Sequence, residues 1–102
     1  MSTKQIDPHL CGNWITDNSD PATMAELGTV ELQFAPDGTL VYTIHHDGGE
    51  QIIQLTWRTE GGTIITNQPS RPKEHTSSYS LLPDRRLIIH FDGVPYSFIK
   101  FR

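Results

Sequence analysis

The chain predicts an all-β domain: an eight-stranded antiparallel up-and-down (meander) barrel, with one short helix between strands 1 and 2. Three observations carry this prediction. Apolar and polar residues alternate at period two along most of the chain, so each segment can bury one face and wet the other. Turn signals built on Gly, Pro and Asp separate these segments at a spacing of roughly 8–13 residues, as in sandwiches and barrels. At 102 residues the chain has enough mass for one core and too little for two. A single domain spans 1–102, with 1–9 expected as a loose N-terminal arm.

The elements follow in order. A first strand covers about 11–17, in "CGNWITD". "SDPATMAELG" then breaks the alternation and reads as a short helix, with Asp20 as N-cap, Pro21 at the first helical position and Gly28 as the stop. Met24 and Leu27 are expected to face the barrel. "TVELQF" sets Val30, Leu32 and Phe34 on one face, and "TLVYTIHH" does the same for Leu40, Tyr42 and Ile44. Ile53, Leu55 and Trp57 share a face in the fourth segment, as do Leu87, Ile89 and Phe91 in the seventh. The remaining strands fall at about 29–35, 39–46, 51–59, 63–67, 75–82, 86–91 and 94–101. "PDGT", "DGGE", "EGG", "PDRR" and "DGVP" supply the turns, where Gly permits positive φ and Pro or Asp favours entry.

Short links make sequence neighbours pair antiparallel, and a closed meander removes both sheet edges. If the first strand runs up, the upper end collects the helical link, the 47–50 turn, the 68–74 loop and the 92–94 turn. The lower end collects the turns at 36–38, 60–62 and 83–85 and both termini. Lys100 and Arg102 then end beside Gly12-Asn13-Trp14, where a cation over the indole is favourable.

Gly12-x-Trp14 on the first strand, a helical second link, the meander and a basic last strand together resemble the lipocalin-like (calycin) group. "FAPDGTLVYTI" and "WRTEGGTIITNQ" look like its short bacterial domains. The resemblance implies that Trp14 packs across the closed end of the barrel under a last-strand cation, Arg102 or Lys100, with Gly12 letting the chain pass closely. It also implies a small-molecule site at the other end. The chain is shorter than a full lipocalin and has no C-terminal helix segment matching that group.

Twelve acidic and eight basic residues give a net charge of −4, which does not suit a nucleic-acid partner. Cys11 is the only cysteine, so there is no intrachain disulfide and no cysteine-based zinc site. The opening "MSTKQIDPHL" has no signal-type apolar run, and no stretch is long and apolar enough for a membrane span. The expected location is cytoplasmic, unless a leader has been removed.

The leading functional expectation is a non-enzymatic barrel that binds a small apolar ligand at its upper end. Its candidate lining residues are Met24, Leu27, Tyr42, Ile44, His46, Ile53, Tyr79 and Phe91. Bulky inward rings in so short a barrel also suit a filled interior. The alternative is therefore a protein-interaction or protease-inhibitor-type module, probing with loop 67–75 or forming a homodimer. Outward Val41, Ile52, Ile65, Ile88 and Ile99 would supply the dimer face. Adjacent His45 and His46 point to opposite faces, and His90 shares parity with outward Ile88, so no metal site is expected. No nucleophile stands beside a base, and neither a cofactor nor catalysis is expected.

Overall fold

Short turns leave sequence neighbours little choice but to pair with each other. In the computed structural model, which describes residues 6–70 and 72–101, they do so all the way round. The strands are β1 (Gly12–Thr16), β2 (Thr29–Phe34), β3 (Thr39–His46) and β4 (Gly49–Glu60), then β5 (Thr63–Asn67), β6 (Glu74–Leu82), β7 (Arg86–Phe91) and β8 (Val94–Lys100). They form a closed antiparallel barrel in chain order, with helix α1 (Pro21–Leu27) between β1 and β2. Closure comes from β8 pairing with β1, where Trp14 lies opposite Lys100 and Thr16 opposite Phe98. The turn at Asp92-Gly93 has φ of 52° and 81°, the two left-handed residues that a tight hairpin of this twist demands.

The register is strongly staggered. Thr39 at the foot of β3 lies opposite Thr56, Thr56 lies opposite Asn67 at the top of β5, and Asn67 lies opposite Glu74. Stagger of this kind is what tilts the strands of a barrel. Its local result is that residues 49–55 of β4 rise past the end of β5, with β3 as their only partner strand among the described residues.

The lower half is solid. Leu10, Leu87 and Phe98 have no exposure, and Trp14 and Trp57 are as good as buried. The Trp14 indole Nε1 donates to the Leu10 carbonyl at 2.9 Å, and Lys100 Nζ stands 5.7 Å from the ring centroid. Gly12 has φ of 131°, a conformation that side chains rarely adopt, so glycine is needed two residues before the indole. Trp57 donates from Nε1 to the Ala35 carbonyl at 3.0 Å and meets Phe34 edge-on, with ring centroids 4.8 Å apart. Arg102 lies outside the described residues, so Lys100 is the cation seen beside the floor.

Residues 1–5 of the arm also lie outside the described residues. From Ile6 the chain is seated against the barrel: Ile6 packs on the core and Leu10 is fully buried. The helix adds a polar residue to the face it turns to the barrel. Its fully buried residue is Thr23, while Met24 and Leu27 are half-buried and Leu27 packs on the core. The reason is polar: Thr23 Oγ1 accepts the Ser97 backbone N–H at 2.9 Å and donates to Asp20 Oδ2 at 2.7 Å. A backbone donor that β1 is too short to reach is satisfied by a helix side chain.

Asp17, fully buried, ties the same corner together. Its Oδ1 accepts from the Ser19 hydroxyl at 2.6 Å and the Ser19 N–H at 2.9 Å. Its Oδ2 accepts from the Ser97 hydroxyl at 3.1 Å and lies 3.6 Å from Arg86 Nη1. The Ser19 hydroxyl is the largest influence on this carboxyl; burial opposes it, and the sum holds Asp17 below the usual carboxylate range.

Two predictions follow from the floor and the corner. Trp14→Ala should lower unfolding free energy by about 3–5 kcal/mol in urea, as other large-to-small core changes do. A loss under about 1 kcal/mol would show that the indole does not plug the barrel. Because the folded-state value of Asp17 is depressed, its contribution is complete above the unfolded value near about pH 4 and is lost as pH falls through the folded one. Asp17→Asn should therefore flatten the acid limb of a stability–pH profile, and an unchanged slope would contradict the network.

Candidate functional site

Above the tryptophan floor the barrel is hollow. A cavity of about 230 Å³ begins over Phe34 and Leu40 and ends at His75 and Asp92, at the end that carries the 68–73 loop and the 92–93 turn. Its wall alternates with the strands: Leu32 from β2, Leu40 and Tyr42 from β3, Leu55 from β4, Ile64 and Thr66 from β5. Ile89 and Phe91 of β7 face them, and Ser77 and His75 of β6 complete the ring. The deeper wall is mostly apolar, with Ser77 beside Ile64, and the mouth bears Thr66, His75, Thr76 and Asp92. Small-molecule pockets are generally built this way, from apolar walls with a few placed polar groups.

Tyr42 and Ser77, the latter paired with Ile64, put hydroxyls in the wall of the cavity. Tyr42 sits between Leu32 and Ile53 in the sheet, and burial pushes its phenol above the ordinary tyrosine value. It is thus a neutral hydroxyl at any ordinary pH. Among the described residues none hydrogen-bonds it. An unclaimed hydroxyl in a mostly apolar wall can orient one polar atom of a guest.

The eight residues expected from the sequence to line a ligand site are only partly brought together. Tyr42 and Phe91 line the cavity. Ile44 and Leu27 pack on the core, Met24 is half-buried on α1, and His46 is exposed at the β3–β4 tip. Ile53 lies on the part of β4 that has outrun β5 and lines an outer groove. Tyr79 points into the lower half, where its hydroxyl donates to Asp7 Oδ2 at 2.7 Å.

The sequence reading missed the deeper wall, Leu32, Leu40, Leu55, Ile64 and Ile89, although period-two parity had put most of these on the inner face. It also missed His75, which shares the inner parity of Ser77 and Tyr79. The other histidines lie elsewhere. His9 pairs with Asp7, His45 bridges Glu31 and Glu50 on the outer face, and His90 has a buried Nδ1 with no partner among the described residues. No group of three or more His, Cys, Asp or Glu among the described residues is placed to hold a metal ion. No helix among them is long and apolar enough to cross a membrane.

Fold and site together define a class: a small closed eight-stranded meander barrel, floored by tryptophans and hollow at one end. Compared with protein-family models, curated proteins and solved structures, the chain finds no match.

The Tyr79–Asp7 bond gives this region its own signature. Burial, then the bond to Asp7, pushes the Tyr79 phenol up to about 12. A raised folded value means that the contribution is complete below the unfolded value near about 10 and is lost as pH rises toward the folded one. Wild-type stability measured by denaturant titration should fall between those limits, and Tyr79→Phe should remove that part of the fall. Parallel curves for the two proteins would contradict the link.

Proposed function

We propose that this chain is a lipocalin-like, non-enzymatic barrel whose upper cavity binds one small, mostly apolar molecule carrying a single hydrogen-bonding group. The observation that carries this reading is the mostly apolar chamber of about 230 Å³, with the unclaimed Tyr42 hydroxyl in its wall. The volume sets the size class. An apolar cavity of about 150 Å³ takes up benzene, so this one suits a single ring with a short substituent. Long acyl chains and fused-ring cofactors are too large for it. The meander order, the α1 link and the Trp14–Lys100 floor support the lipocalin-like assignment. The lone Cys11 suits a reducing compartment, and the cytoplasm is the proposed location.

The hollow upper half favours this over a module with a filled barrel. The polar residues at the mouth stand where a bound molecule would still meet water, and Tyr42 and Ser77 add hydroxyls to the wall. Such a layout holds and orients a guest and provides no paired acid and base to act on it.

Toluene and 4-methylphenol are suitable probes, since they differ only in one hydroxyl. Both should shift the NMR resonances of Leu55, Ile89 and Phe91, and 4-methylphenol should bind the more tightly by about 1 kcal/mol if Tyr42 accepts its bond. Tyr42→Phe should erase that difference while toluene binding persists. Leu55→Phe, which fills the chamber, should abolish both. Absence of shifts at millimolar probe, or shifts spread over the outer face, would overturn the reading.

A further inference from the structure

β4 has twelve residues and β5 five, so the stagger leaves the upper part of β4 with a bare side. The phase of the ladder says which groups face out. Trp57 N donates to the Gly38 carbonyl at 2.9 Å, so odd-numbered residues of β4 bond toward β3. Alternation then turns the N–H and C=O of Glu50, Ile52 and Gln54 away from β3. Residues 68–70 border this edge across a groove of about 600 Å³, and no backbone bond joins them to it among the described residues.

Exposed edges are normally blunted by Lys, Pro, a bulge or a covering element. This protein covers its other short gap: α1 sits beside β8, with Thr23 on the Ser97 N–H. The β4 edge reads "GEQIIQL", with no Lys, no Pro and one charge. Of the outward apolar residues, Ile65 is buried and Val41, Ile88 and Ile99 are half-buried, whereas Ile52 is 65% exposed. The most exposed large apolar side chain among the described residues thus sits at the centre of the open edge.

We propose that this edge pairs antiparallel with the same edge of a second copy of the chain, about a two-fold axis at Ile52. Among registers centred on an outward-bonding residue of this edge, the sequence favours that one. Ile52 meets its own copy and Glu50 meets Gln54, so every edge group is used, giving about six backbone hydrogen bonds across the axis. Centring on Glu50 sets like charges opposite each other, which destabilises a sheet pair. Centring on Gln54 drives the partner toward Thr56, which Asn67 already pairs. The contact is isologous and closes after two copies, joining two barrels through one continuous sheet and leaving both cavities free.

Sedimentation equilibrium and register-specific cross-linking test this together. Wild type at high micromolar concentration should show twice the monomer mass, and Ile52→Lys the monomer mass with an unchanged circular dichroism spectrum. In a Cys11→Ser background, Ile52→Cys should oxidise to a covalent dimer. Its Cα atoms would be about 5.5 Å apart, within the range a disulfide accepts. Glu50→Cys should cross-link at least tenfold more slowly, because the two copies of residue 50 would be about 14 Å apart. Equal rates for the two cysteines, or a monomeric wild type, would overturn the pairing. The monomer would leave the edge to an extended strand of a different protein.

Discussion

Closure of the sheet between β1 and β8 is the constraint on which the rest of the molecule depends. The ladder there is short, from Trp14–Lys100 to Thr16–Phe98, and a two-sided edge would replace it if it failed. Its residues are accordingly among the most buried. Trp14 and Phe98 lie directly beneath it, Leu10 is held against the indole, and Lys100 closes over the ring. Above it, Asp17 and Thr23 collect the Ser97 hydroxyl and N–H, so the helix continues the closure where hydrogen-bonded strand runs out. A hydrophobic floor and a polar corner thus secure one seam from two sides.

The stagger that permits closure also divides the molecule into unlike halves. Below, two tryptophans and their neighbours fill the cross-section, each indole N–H satisfied by a backbone carbonyl. Above, the inner face carries shorter side chains such as Leu55, Ile64 and Ser77, which do not meet across the barrel and leave the chamber. The same stagger carries the top of β4 past β5. Cavity and open edge are two results of one geometric requirement, and the binding and pairing readings rest on those two results separately.

Most of the fold was legible because period-two alternation and Gly-bearing turns are local signals. All eight strands and the Asp20-to-Gly28 helix were placed to within about two residues of their observed ends. Leu10 was not legible, since one apolar residue between Pro8 and Gly12 carries no periodicity. The site was legible only in part, for a different reason. Parity says which face a residue occupies, and register against distant strands says at what height. Ile44, Ile53 and Tyr79 have inner-face parity, but the stagger lifts Ile53 beside an outer groove and sets Tyr79 low against Asp7. His75 lies in "EHTSSYS", which is polar on both faces and gives alternation nothing to act on. On α1, Leu27 packs on the core as its spacing suggests, but the burial of Thr23 was not legible, since it answers to the Ser97 N–H on a distant strand.

The central claim is that the barrel is solid below and hollow above. A crystal structure under pressurised xenon tests it most directly, because xenon enters dry apolar voids without needing any specific contact. The account predicts xenon density in the chamber among Leu55, Ile89 and Phe91, and none among Trp14, Leu87 and Phe98. An upper half closed by inward collapse of these side chains, with no xenon bound, would contradict it.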